Sequence, residues 1–167
     1  MYPELDGKTY KPGKPDAAAP LPPQEELVEA PESIESAPNW ARLLKNGFTY
    51  LSDWRLNRDG ELEVDRDAPN EPGVYAFVLD DEVVYVGVTQ RTLHSRLADY
   101  RRGHIAQKTS SHLKGRIINS LRAGQSVRVL VATPENSEWC GLPVVTSVGL
   151  ETGLIRALKP KWNRQGK

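Results

Sequence analysis

The chain has 167 residues and a hydrophobic content of 38%, room for one domain with a real core plus a polar extension. A single cysteine, Cys140, excludes an intrachain disulfide and a cysteine-rich zinc cage; no apolar run reaches membrane-spanning length and no basic-then-apolar leader opens the chain, so a cytoplasmic protein is expected. The formal net charge of +0 joins unlike parts: residues 1–40 carry 3 basic and 8 acidic groups, residues 41–87 carry 5 and 10, and residues 88–167 carry 14 and 4.

That final surplus of +10 suits a polyanionic partner whose counterions are released on binding. The alternative is a solvated surface balanced by the acidic half folding against it.

Residues 1–37 hold seven of the 13 prolines, the Ala17-Ala18-Ala19 run and many acids. They offer too little apolar surface to offset the entropy of ordering, so they read as a disordered tail with at most a helical turn or two at 25–30. From Pro38 the texture changes. Pro38-Asn39 opens a short amphipathic helix through Trp40, Leu43 and Leu44, which Asn46-Gly47 closes. Phe48 to Leu56 reads as a strand or an aromatic docking segment, and Leu62 to Val64 as a short strand within the turn-rich acidic stretch 57–70. Residues 38–71 are expected to cover one side of a core domain at 72–167.

Two β-rich runs follow, Val74 to Leu79 and Val83 to Val88, separated by Asp80-Asp81-Glu82, which is a hairpin pattern. With those three residues as the loop, Leu79 faces Val83, Phe77 faces Tyr85 and Tyr75 faces Gly87, so Tyr75 and Tyr85 share a sheet face. A two-residue or four-residue loop would separate them. Small Gly87 opposite Tyr75 is expected to leave room for a ligand beside the phenol.

A helix begins after Thr92, a suitable N-cap, with Leu93, Leu97 and Tyr100 on one side and Arg101-Arg102-Gly103 at its end. Arg96 flanks that stripe, where its long guanidinium can reach the hairpin. A second helix is expected over 111–123 and a third core strand over 126–133, whereas the loop 134–143, with Trp139 and Cys140, carries no sharp signal. The last helix spans about 147–158, stops before Pro160 and places Glu151 on one face with Ile155 and Leu158. A carboxylate among core positions requires a cation, a hydrogen-bond network or a metal. An ion pair with Arg96 or Arg156 is the alternative to a metal.

Gly73-Val74-Tyr75, Tyr85-Val86-Gly87, Arg96, Glu151 and Leu158-Lys159-Pro160-Lys161-Trp162-Asn163 occur in an order that resembles the GIY-YIG nuclease superfamily, whose name describes the two tripeptides. Both tripeptides here carry Val for Ile, and the ending is similar to the family's Pro-x-x-Asn close. Many members place a histidine four residues after the helix arginine; this chain has Tyr100 there, as do members acting in excision repair. The resemblance covers 72–164. It implies an α+β fold with a small three-stranded antiparallel sheet flanked by helices, and a divalent-metal-dependent endonuclease using Mg²⁺ or Mn²⁺.

On that resemblance Glu151 is the metal ligand, Arg96 grips phosphate as a planar fork, and Tyr75 deprotonates water with its pKa lowered by arginine and metal. Tyr85 and Tyr100 orient water or phosphate, and Asn163 fixes the end of the last helix or contacts the site. Arg91, Arg101, Arg102, Lys108, Lys114, Arg116, Lys161 and Arg164 are the candidate DNA contacts, on duplex DNA in particular. Cutting both strands with one site per chain points to a homodimer on DNA, and the N-terminal extension leans toward a compact restriction or defence enzyme. The alternatives are a module of the same fold that binds nucleic acid without cutting, and a protein-interaction domain.

Overall fold

The computed structural model describes residues 39–102 and 108–163, without the side chains of 108–110. The tail expected over 1–37 and its turn at 25–30 lie outside the described residues. In chain order the elements are α1 (Asn39–Lys45), β1 (Thr49–Leu56), β2 (Leu62–Val64), β3 (Gly73–Leu79), β4 (Glu82–Thr89), α2 (Leu93–Arg102), α3 (Lys108–Arg122), β5 (Val127–Ala132), β6 (Ser137–Trp139), β7 (Leu142–Val144) and α4 (Thr146–Leu158).

The main sheet has five strands in the order β2-β1-β5-β3-β4, and every pairing is antiparallel. This corrects the three-stranded expectation. The three strands foreseen form the β5-β3-β4 portion, and β1 extends it by pairing Thr49 with Val131 and Asp53 with Arg128. Leu51 and Trp54 of β1 are buried on the same side as Tyr75 and Phe77, so the aromatic segment joins the sheet by backbone pairing instead of docking on it.

Central β3 is buried at all seven positions because helices cover both faces. Tyr75, Phe77 and Leu79 pack with Leu93, Leu97 and Tyr100 of α2 and with Leu113 and Ile117 of α3. Val74, Ala76 and Val78 pack with Leu43 of α1 and with Leu150, Leu154, Ile155 and Leu158 of α4. A strand covered on both faces reads as a continuous apolar run, as Gly73 to Leu79 does.

The β3–β4 turn differs from the expectation in a way that cancels itself. Leu79 pairs with Glu82 and Val78 with Val83, leaving the two-residue loop Asp80-Asp81 with Asp80 at φ 54°. A shift after Phe77 then leaves Val84 as an extra residue, and Phe77 faces Tyr85 and Tyr75 faces Gly87 as read from the sequence. The extra residue turns Val84 and Tyr85 toward the same core, the local signature of a bulge. The short loop would have put the tyrosines on opposite faces; the bulge restores them to one.

Thr92 caps α2 as expected, its Oγ1 accepting the Ser95 N–H at 3.0 Å. Gly47 closes α1 at φ 90°. The loop 134–143 is not featureless: β6 and β7 form a separate hairpin turned at Cys140-Gly141, with φ of 50° and 78°, the left-handed pair that matches strand twist. Its strands are three residues long and exposed throughout, so no buried alternation marked them.

Candidate active site

Tyr75 and Tyr85 reach one face of the sheet from β3 and β4, and α2 lays Arg96 and Tyr100 against them. Arg96 Nε donates to Tyr75 Oη at 3.0 Å and Nη2 to Tyr100 Oη at 3.3 Å, while the Tyr75 and Tyr100 hydroxyls lie 2.9 Å apart. Its guanidinium carbon also stands 4.9 Å from the centre of the Tyr100 ring. The four-residue spacing from Arg96 to Tyr100, one helical turn, is what lets a single guanidinium engage both that ring and the strand tyrosine.

The rings are fixed by their neighbours. Tyr75 sits 5.6 Å from Phe77, 6.0 Å from Tyr85 and 6.1 Å from Tyr100, centre to centre, and Trp54 stands edge-on to Phe77 and Tyr100. Tyr75 is 0% exposed and Tyr85 8%. Burial pushes the Tyr85 phenol well above the ordinary tyrosine range, reinforced by Tyr75, and pushes Tyr100 higher still, reinforced by Tyr75 and Tyr85. Both are therefore neutral hydrogen-bonding phenols at neutral pH. Arg96 is held charged: burial alone would lower its pKa, but the three tyrosines more than compensate.

Gly87 has a different part from the one read in the sequence. The space beside it is filled by the Tyr75 phenol: a Cβ on Gly87 would lie 2.6 Å from Tyr75 Cζ and Oη and 2.9 Å from Tyr85 Cε1. The hydroxyl end of Tyr75 therefore lies across β4 at Gly87. Gly73, its counterpart in the first tripeptide, is equally constrained, because a Cβ there would strike the Ala132 carbonyl oxygen and Leu93.

Glu151 approaches from the opposite layer. Helix α4 packs on the other face of the sheet, and the Glu151 carboxylate accepts the backbone N–H of Val88, the residue after Gly87. Phenol and carboxylate thus converge from two faces on consecutive residues of one edge strand. Burial raises the Glu151 pKa and the Val88 N–H partly offsets it. Among the described residues Glu151 joins no salt bridge, so the ion pair with Arg96 or Arg156 is not formed.

Asn163 does not secure the end of α4, which Lys159 terminates by donating its N–H to the Ile155 carbonyl. It binds β4 instead: Asn163 Oδ1 accepts the Val86 N–H at 2.9 Å and Nδ2 donates to the Val86 carbonyl at 2.7 Å. The Trp162 N–H binds the Val84 carbonyl at 2.8 Å. Along the outer edge of β4, Trp162, Asn163 and Glu151 meet Val84, Val86 and Val88 in turn, so backbone groups that would invite another strand are occupied. The Pro-x-x-Asn ending was visible in the sequence; its partner was not, since nothing local marks Val86.

The candidate DNA contacts are already partly engaged. Arg91 bonds Asp99 and Ser95, Lys114 bonds Glu61 and the Arg101 carbonyl, Arg116 bonds His112, and Lys161 bonds Glu82. Arg102 stands 4.0 Å from Asp99, and Arg101 lies in the last turn of α2. Arg164 and the side chain of Lys108 lie outside the described residues.

For a metal, the described residues contain no cluster of three or more His, Cys, Asp or Glu side chains. A structural zinc set is thus absent among them. One half-buried carboxylate with no cationic partner among the described residues suits a hard ion that keeps most of its water, as Mg²⁺ does.

An antiparallel sheet between helical layers thus brings together an arginine that bridges strand and helix tyrosines and, on the adjoining strand edge, a glutamate. No family model matches the chain. It is 32% identical over 127 residues to endonuclease II of Enterobacteria phage T4, covering 72% of this chain and 92% of that protein. The chain belongs to the endonuclease II family, a family of nucleases. A solved structure of a bacteriophage T4 EndoII mutant shares the fold, with a TM-score of 0.63 at 21% identity over 74% of this chain and 97% of that one. Restriction endonuclease HPY188I in complex with product DNA aligns at a TM-score of 0.45 and 18% identity, over 75% of this chain and 82% of that one. No helix among the described residues is long and apolar enough to cross a membrane.

Proposed function

We propose that this chain is a divalent-metal-dependent DNA endonuclease of the GIY-YIG type, acting on duplex DNA in restriction or defence. The observation that carries the reading is the convergence on Gly87-Val88: the Tyr75 hydroxyl held by Arg96 on one side, and Glu151, without a cationic partner among the described residues, on the other. Membership of the endonuclease II family supports it.

Glu151 would hold Mg²⁺ or Mn²⁺. The bound ion supplies neutralisation of phosphate charge and activation of water. Arg96 presents a guanidinium to the phosphate oxygens and keeps Tyr75 Oη oriented. Tyr75 would act as a phenolate, its own proton having left to solvent: the negative charge on its oxygen meets two donors, Arg96 Nε–H and the Tyr100 hydroxyl, and is lost when that oxygen takes the proton from water. Tyr85, neutral at working pH, donates to water or phosphate, while Tyr100, also neutral, acts through the hydrogen bond it gives Tyr75. Asn163 and Trp162 hold the strand edge that carries the site, and cutting both strands takes two copies of the chain.

Plasmid nicking with and without Mg²⁺ tests the proposal. Conversion of supercoiled DNA only in the presence of the ion is expected. Duplex binding without cutting in any divalent ion would favour the non-cutting module of the same fold.

A further inference from the structure

Beside Glu151 on α4 lies a cleft of about 360 Å³ lined by Ile155, Arg156, Lys159, Pro160 and Asn163. Ile155 is four residues after Glu151, so the cleft opens about 6 Å further along the helix axis. Successive nucleotides of one strand are spaced by about 3.4 Å along a duplex. A strand that runs along α4 from a scissile phosphate at Glu151 brings a neighbouring phosphate, one or two nucleotides away, over this cleft.

The lining fits such a group. Arg156 and Lys159 supply two cations and the cleft has no carboxylate. Neither side chain has a partner among the described residues, in contrast to Arg91, Lys114, Arg128 and Lys161, each of which is held by an acid. Asn163 fixes one wall through both its hydrogen bonds to Val86.

A second observation concerns the backbone. Lys159 occupies the left-handed cap of α4 at φ 48° and ψ 55°, a position that glycine or asparagine ordinarily fills because a Cβ is strained there. A lysine at such a position is costly to the fold. Strain of this kind points to a use for the side chain.

We propose that Arg156 and Lys159 form a backbone-phosphate subsite that grips the DNA strand beside the scissile bond. The inference rests on the endonuclease reading and adds residues to its substrate site. The competing explanation is that both cations merely offset the negative end of the α4 dipole, and the two make different forecasts for Lys159→Gly. As a DNA contact, the change lowers duplex affinity while leaving thermal stability equal or higher, because glycine relieves the left-handed strain. As a dipole partner, it leaves duplex affinity alone, whichever way the lost dipole contact and the relieved strain balance in stability.

The test is fluorescence anisotropy with a short duplex and Ca²⁺ in place of Mg²⁺, over a series of salt concentrations, on wild type, Lys159→Gly, Arg156→Ala and the double variant, with thermal melts alongside. The slope of log affinity against log salt should become shallower by about one for each single change and about two for the double, and Arg156→Lys should restore most of the loss. An unchanged slope in the double variant, with a wild type that binds and cuts, overturns the subsite alone. A wild type that neither binds nor cuts DNA overturns the endonuclease reading and the subsite with it.

Discussion

Tyr75 is enclosed by Phe77, Tyr85 and Tyr100 and ends over Gly87, so its ring has no space to move and its hydroxyl can be removed without disturbing the packing. Tyr75→Phe should therefore reduce cleavage by roughly 10²-fold to 10⁴-fold, the usual worth of a general base, with duplex affinity unchanged; single-turnover rates and anisotropy measure the two. Arg96→Ala should weaken both if, as proposed, one guanidinium serves the bound phosphate and the reaction. Glu151 has a pH signature. Its folded-state pKa is raised by burial, so folding favours the protonated acid, and the associated stability is full below the ordinary carboxylate pKa and lost as pH rises through the raised one. Glu151→Gln removes that titration, and its urea midpoint should exceed that of wild type by a margin that widens as pH rises from the ordinary carboxylate pKa through the raised one.

Strand β4 carries the site, and two of its supports can be tested separately. Gly87→Ala drives a methyl against the Tyr75 phenol, and a ring packed on every side cannot yield. The expected cost is about 1–3 kcal/mol of overpacking, read by urea unfolding, with cleavage reduced because the phenol is displaced. Asn163→Ala strips both partners from Val86 and should cost about 1–3 kcal/mol for unmet buried groups. If stability holds while cleavage disappears, Asn163 acts on the substrate and not on the strand. The same strand shows what the sequence made legible. Apolar runs, a capping threonine and a proline stop announced β3, β4, α2 and α4, because each reflects local chemistry. The extra residue at Val84 did not show, since a bulge is set by the conflict between a two-residue turn and the core's demand for Tyr85. The pairing of β1 with β5 joins residues far apart in sequence, and the β6–β7 hairpin buries nothing that would impose a period. Glu151 was legible as an oddity on an apolar face; its partner, the Val88 amide, was not, because backbone groups leave no mark in a sequence.

Across the whole molecule, basic groups are concentrated after residue 87 and acidic ones before it. Duplex affinity should accordingly fall steeply between low and moderate salt, and affinity that barely moves would favour an acidic protein partner over DNA. Removal of residues 1–37, with their weak apolar patterning, should leave the thermal midpoint nearly unchanged; a drop of about ten degrees would show that they contribute packing. The most direct test of the central claim, a metal-dependent cut made at Glu151, is a paired measurement on Glu151→Gln: Mg²⁺-dependent plasmid cleavage and duplex affinity in the same preparation. Loss of cleavage with a folded protein and an affinity equal to or above that of wild type, because a carboxylate without its ion repels phosphate, is the predicted result. Wild-type cleavage by that variant, in a preparation free of contaminating nuclease, would contradict it.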